Sequence, residues 1–236
     1  MTPARLAVVI PAHNEHLLLP ACLHSVFAAP APVPVEVIVV ADACTDDTAA
    51  LASAAGASVV TVAARNVGRA RDAGMRHALR TGPEGLWLAT TDADSRVPPG
   101  WLRWHLAHFR GGADLLAGTV IVDDWSSWPP DLPARYERRY RSEPLHPHGA
   151  NMGISGQAYR RAGGFPPVRH GEDVALLTRV RHKEGHIVAD ASCPVVTSAR
   201  RQSRAPDGFA AHLAAMAAQP IGGTVDGRRG RSSRLS

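Results

Sequence analysis

The sequence predicts an α/β domain with a mostly parallel central sheet flanked by helices, and three observations carry that prediction. Short apolar runs recur at residues 6–10, 35–41, 58–63 and 86–91, the first three rich in Val and Ile. Segments with helical patterning separate them, which is the alternation of βαβ units joined by right-handed crossovers. The runs stop abruptly at Pro11, Asp42 and Asp92, where loops at the carboxyl ends of the strands would begin. Open α/β sheets place their ligands at that end.

Taken in order, residues 6–10 read as a buried strand ended by Pro11. Asn14 is positioned to cap a helix running to about Ala28, with Pro20 near its first turn and Leu17, Leu18, Cys22, Val26 and Phe27 on its apolar face. A second strand ends at Asp42; Thr45 can cap the following helix, whose first turn holds Asp46 and Asp47, and Gly56 closes it. A third strand leads to a helix over residues 66–80, stopped by Gly82, and a fourth strand delivers Asp92 and Asp94. Beyond them a helix is expected over 101–109, a strand over 114–122 and an irregular stretch over 123–147 with a short helix near 135–141. Residues 149–155 return to the sheet, 157–162 and 172–184 are helical, 186–190 and 194–198 are short strands, and 210–218 forms a last helix.

The chain has 236 residues, 45% hydrophobic and 20% charged, which suits one soluble domain with a sizeable core. Its net charge is +5, but four arginines against one aspartate in residues 220–236 give that stretch +3 and leave +2 for the rest. The body is therefore weakly basic, and a nucleic-acid partner is not expected. Residues 220–236 read as a disordered basic tail, leaving 1–219 as the domain. Cys22, Cys44 and Cys193 are odd in number and lack C-x-x-C spacing, which fits free thiols in a reducing compartment. No apolar run approaches the roughly 18–20 residues that cross a bilayer. A cytoplasmic protein is expected, with peripheral membrane contact left open.

Asp92 and Asp94 form a D-x-D in which an extended backbone would direct both carboxylates to one side. Paired carboxylates suit Mg²⁺ or Mn²⁺, hard ions that take their remaining oxygens from water and a substrate phosphate. A diphosphate substrate follows.

Four stretches in this order resemble family 2 glycosyltransferases, nucleotide-sugar-dependent enzymes of the GT-A fold: VVIPAHNE (8–15), VVADACTDDT (39–48), TTDADSRVPPGWL (90–102) and GANMGISGQAYRRAGGFPPVRHGEDVALLTRV (149–180). The resemblance covers roughly residues 5–200. It implies that residues 5–122 bind the nucleotide-sugar and 123–219 the acceptor. It places Pro11, His13, Glu15, Asp42, Arg71 and Asp92 at the donor nucleotide, and Asp94 with Asp92 at the metal, Mn²⁺ or Mg²⁺. Gly149, Ala150, Asn151 and Glu172 fall at the acceptor, and Glu172 and Asp173 form the implied catalytic pair, with Asp173 as the base of an inverting transfer. Ala41, Ala43 and Cys44 depart from the family's usual Asp and Gly-Ser, so the base of the donor stays open, with UDP favoured over GDP and dTDP. Asp72 stands where the family commonly has Asn.

Other residues have two readings. His148 and His170 flank the implied site or are exposed histidines. Arg200, Arg201 and Arg204 either close over a diphosphate or form a solvated loop. Trp125, Trp128 and Tyr136 are a sugar platform or core. A sugar nucleotidyltransferase would show a Gly-rich phosphate loop after the first strand, which Pro11–Glu15 does not supply. A non-catalytic binding protein is the alternative from another class, and the D-x-D together with Asp173 argues against it.

Overall fold

The computed structural model describes residues 4–122, 124–142, 147–201 and 209–219. The expected tail, 220–236, and Arg204 lie outside them. From the N-terminus, β1 (Arg5–Ala12), α1 (Leu19–Ala28), β2 (Val35–Asp42), α2 (Thr48–Ala54), β3 (Ser58–Val62), α3 (Val67–Ala78) and β4 (Leu86–Thr90) alternate as the sequence predicts. There follow β5 (Ser95–Arg96), α4 (Trp101–Arg110), β6 (Leu115–Ala117), β7 (Val120–Val122), α5 (Leu132–Ser142) and β8 (Met152–Ser155). The last elements are α6 (Gly156–Ala162), α7 (Glu172–His182), β9 (Ile187–Ala189), β10 (Val195–Thr197) and α8 (Phe209–Ala218).

Seven strands make the main sheet in the order β3-β2-β1-β4-β8-β6-β9. The first four run parallel, β8 is antiparallel to both its neighbours, and β9 is parallel to β6. The strand period of two sorts β1 between the two layers. Leu6, Val8 and Ile10 pack with α1 and α4 on one face, while Ala7 and Val9 pack with α3, α6 and α7 on the other. A smaller sheet, β5-β10-β7, stands beyond the carboxyl end of β4.

Several local expectations change. Pro11 lies within β1, opposite Val40, rather than ending the strand. Arg5 donates to Gly85 and Leu6 to Pro34, so odd-numbered amides of β1 face β4; the N–H that Pro11 lacks would point past the end of that strand, where no ladder bond is lost. Asn14 adopts φ 53° and its side chain accepts from the Thr45 amide at 2.8 Å, tying two loops together instead of capping α1. α1 accordingly starts later, at Leu19, and Leu17 and Phe27 are exposed. Thr45 does not cap α2, which follows Asp47, whereas Asn66 caps α3 by accepting from the Arg69 amide at 2.9 Å.

The strand expected over 114–122 is two strands in different sheets. Between them the Gly118 amide donates to the Asn151 carbonyl, and a Cβ at Gly118 would collide with the Asn151 amide and Trp104. That close approach needs glycine and turns the chain from one sheet to the other. β5 was not expected, because two residues leave no periodic signal.

Two buried polar groups give tests of this packing. The Asp42 carboxylate accepts from the amides of Ala64, Arg65 and Asn66 at 2.7–2.8 Å, fixing the turn from β3 into α3. Asp42→Asn removes the charge behind three bonds and sets an NH₂ against N–H donors; a loss of about 3 kcal/mol is expected in urea unfolding. His105 is wholly buried, and its Nδ1 accepts from Trp87 Nε1 at 3.0 Å. Burial, with a smaller push from His108, lowers its pKa from 6.5 to about 3. In that window the unfolded chain binds a proton that the folded chain refuses. Stability from neutral His105 is complete above about pH 6.5 and is lost as pH falls towards 3. His105→Gln should flatten the decline in unfolding free energy between pH 7 and pH 5 by up to about 1.4 kcal/mol per pH unit, and an unchanged slope would contradict this assignment.

Candidate active site

The loops that follow β1, β2, β3 and β4 emerge at the same end of the sheet and form one side of a cavity of about 560 Å³. The 3₁₀ turn Gly149–Asn151, the start of α7, the end of β10 and the start of α8 also contribute to its lining. Every site residue inferred from sequence lines this cavity except Asn151.

The D-x-D sits in a turn. The Ser95 amide donates to the Asp92 carbonyl at 3.0 Å, and Ser95 then pairs with Thr197 as β5 joins β10. Asp92 and Asp94 therefore reach one cavity through a turn clamped between two sheets, not through the extended geometry expected from sequence. Each is gripped by an arginine that also holds a glutamate from elsewhere in the chain.

Arg71, on α3 and 3% exposed, pairs with Asp92 and with Glu172. Burial opposes its charge, but Asp92, Glu172 and Asp173 outweigh that and raise the guanidinium pKa. Glu172 is itself buried, and its pKa is raised by that burial, against the pull of Arg71 and with the push of Asp173. Gly149 lies against this guanidinium, where any Cβ would overlap it, so the turn before β8 depends on glycine there.

Arg200, just after β10, spans Glu15 with both nitrogens, at 2.8 and 2.6 Å, and touches Asp94 Oδ2 at 3.0 Å. Asp94 is pushed up to about pH 6 by burial, opposed by Arg200 and reinforced by Asp92 and Glu15. Crowded carboxylate oxygens, with a guanidinium already standing among them, are a donor set that fits a hard divalent ion. Among the described residues no three His, Cys, Asp or Glu side chains converge to hold an ion alone, so a substrate phosphate would have to complete the shell.

Asp173 differs from its neighbour. It is part-exposed on the cavity wall, with Oδ2 accepting from the Gly149 amide at 3.0 Å and Oδ1 from the Val174 amide at 2.8 Å. Glu172 is instead locked to Arg71. His13 Nδ1 donates to the Asp42 carbonyl at 2.6 Å, which fixes its ring at the cavity wall.

Asn151 is placed behind the wall. It is fully buried, and its amide accepts from Trp101 Nε1 and donates to the Thr119 and Cys193 carbonyls, so it braces the junction of the sheets. Asp72 likewise points away, accepting from Tyr159 and Arg76. Trp128 and Tyr136 are buried with Leu132, Leu213 and Met216, and the core reading holds for them. The sequence reading did not anticipate Arg65, Asn66 and Val67 at the cavity, although their place after β3 is a signal that could have found them. Phe209, Ala210 and His212 also line it, and their helix carried no such mark.

Comparison with known proteins is in keeping with this geometry. Residues 7–163 match the family described as Glycosyl transferase family 2. A search of curated proteins returns no match. Among solved structures, S. aureus TarS 1–349 in complex with UDP-GlcNAc superposes with a TM-score of 0.68 at 16% identity, covering 87% of this chain and 61% of that one. A mannosyltransferase from Pyrobaculum calidifontis, in complex with GDP-Man and Mn²⁺, gives 0.66 at 19% identity, covering 92% and 70%. This chain thus spans less than two thirds of the TarS fragment. Identities this low establish a shared α/β fold, and the family match, which runs over more than half of the chain, establishes the lineage: the chain belongs to glycosyl transferase family 2.

Proposed function

We propose that the chain transfers one sugar from a nucleoside diphosphate sugar, with UDP as the favoured carrier, to a hydroxyl acceptor, inverting the anomeric configuration. The observation that carries this reading is that Asp173 and the Asp92–Asp94 turn line one cavity. A base and a diphosphate site must flank the anomeric carbon on opposite sides for a single in-line displacement. The family match and the UDP-GlcNAc and GDP-Man bound by the two structural relatives support a nucleotide-sugar donor.

The chain's residues then divide the work. Pro11, His13 and the loop anchored by Asp42 border the nucleoside. Asp42 acts through backbone amides, since its carboxylate is already engaged. Gly149 and Ala150 border the acceptor, whose hydroxyl oxygen bonds to the anomeric carbon as the bond to the diphosphate oxygen breaks. Asp173 takes the hydroxyl proton, and the Gly149 amide holds its carboxylate in position. Mn²⁺ or Mg²⁺ held by Asp94, with Asp92 alongside, would offset the negative charge on the departing nucleoside diphosphate.

Asp173→Asn keeps the shape and removes the base. UDP release from a UDP-sugar in the presence of acceptor should fall by roughly 10²–10⁴-fold, while affinity for UDP changes little. Turnover within a few-fold of wild type would remove Asp173 from the base role.

A further inference from the structure

Two of the arginines that line the cavity, Arg71 and Arg200, are built differently. Arg71 is enclosed by α3, α7 and the β4 turn, with 4% of its side chain exposed. Arg200 has a quarter of its side chain exposed, and it follows the three-residue β10 at the rim of the cavity. Its fork holds Glu15 through two bonds and Asp94 through one oxygen. Asp94 is also the residue read above as the metal ligand, and the inference rests on that reading.

A guanidinium and a divalent ion cannot share the same face of one carboxylate. A divalent ion entering alone must displace Arg200 against its own charge. An ion entering with the two negative charges of a nucleoside diphosphate sugar adds no net charge, and the displaced guanidinium then has the diphosphate to face. We infer that Arg200 is an exchangeable positioning residue. Without nucleotide it occupies the cation position on Asp94. When ion and nucleoside diphosphate bind together it releases Asp94 to the ion, stays anchored on Glu15 and turns its free edge to the diphosphate. The exchange makes metal and donor bind cooperatively and keeps the carboxylates neutralised in the empty cavity.

The test is direct Mn²⁺ binding, read by electron paramagnetic resonance of the free ion and by calorimetry, with and without UDP. Arg200→Gln should bind Mn²⁺ at least tenfold more tightly than wild type without nucleotide. The factor by which UDP tightens Mn²⁺ binding should shrink in the same variant, because by linkage the two ligands no longer share the displacement of Arg200. Arg200→Lys keeps the charge beside Glu15 but loses the fork. It should fall between the two, and it serves as the reporting variant if Arg200→Gln does not fold. Equal or weaker Mn²⁺ affinity in both variants overturns the exchange. Asp94→Ala separates this failure from failure of the metal reading: loss of Mn²⁺ binding there, with no gain in the Arg200 variants, defeats the exchange alone. Wild-type Mn²⁺ affinity in Asp94→Ala defeats both.

Discussion

Repulsion among carboxylates is the constraint on which this architecture depends. Glu15, Asp92, Asp94, Glu172 and Asp173 line one cavity. Two unit charges about 4 Å apart at a protein surface repel by about 4 kcal/mol. Burial and the neighbouring carboxylates push the pKa values of Asp94 and Glu172 up there. Arg71 and Arg200 compensate them, and each does so by joining segments remote in sequence: α3 to α7 through Glu172, and the end of β10 to the loop after β1 through Glu15. The ion pairs that make the acidic cavity tolerable thus also hold its two sides together. Breaking such a buried pair by removing one partner commonly costs about 3–5 kcal/mol, because the other charge is left uncompensated.

The parallel sheet supplies the rest of the geometry. Four parallel strands bring four loops to one edge, and the buried apolar sequences of β1, β2 and β4 fix that edge so that the loops can be polar. Antiparallel β8 then returns the chain alongside β4, which sets the Gly149–Asn151 turn next to the D-x-D turn. The second sheet grips that turn from the far side through β5. Asp173 reaches the cavity as the second residue of α7, where Gly171, at φ 72°, precedes the helix.

Much of this was legible in the sequence because it depends on short-range rules. Apolar runs gave β1 to β4, Asn66 marked the start of α3, and the ordered motifs placed Asp92, Asp94 and Asp173 in one site. What stayed hidden depends on tertiary context. Pro11 and Asn14 carry strong local preferences, but the register of β1 and a bond to the Thr45 amide decided their conformations. Residues 114–122 read as one strand because their apolar pattern is continuous. The break comes from the space Asn151 occupies, more than thirty positions away. Asp42 and Asn151 matched functional positions by motif, yet their polar atoms are engaged by the protein itself. Arg200 was visible as a residue that closes over a diphosphate or belongs to a solvated loop, but no sequence pattern announces its pairing with Glu15 across 185 positions.

The most direct test of the central claim, that this acidic cavity holds a nucleoside diphosphate with a divalent ion, is thermal unfolding of the protein with UDP, GDP, dTDP and CDP, each with and without Mn²⁺. A ligand that binds only the folded state raises the midpoint. The account predicts a rise that depends on Mn²⁺ and is largest with UDP. An unchanged midpoint with all four nucleotides, metal present, would contradict it.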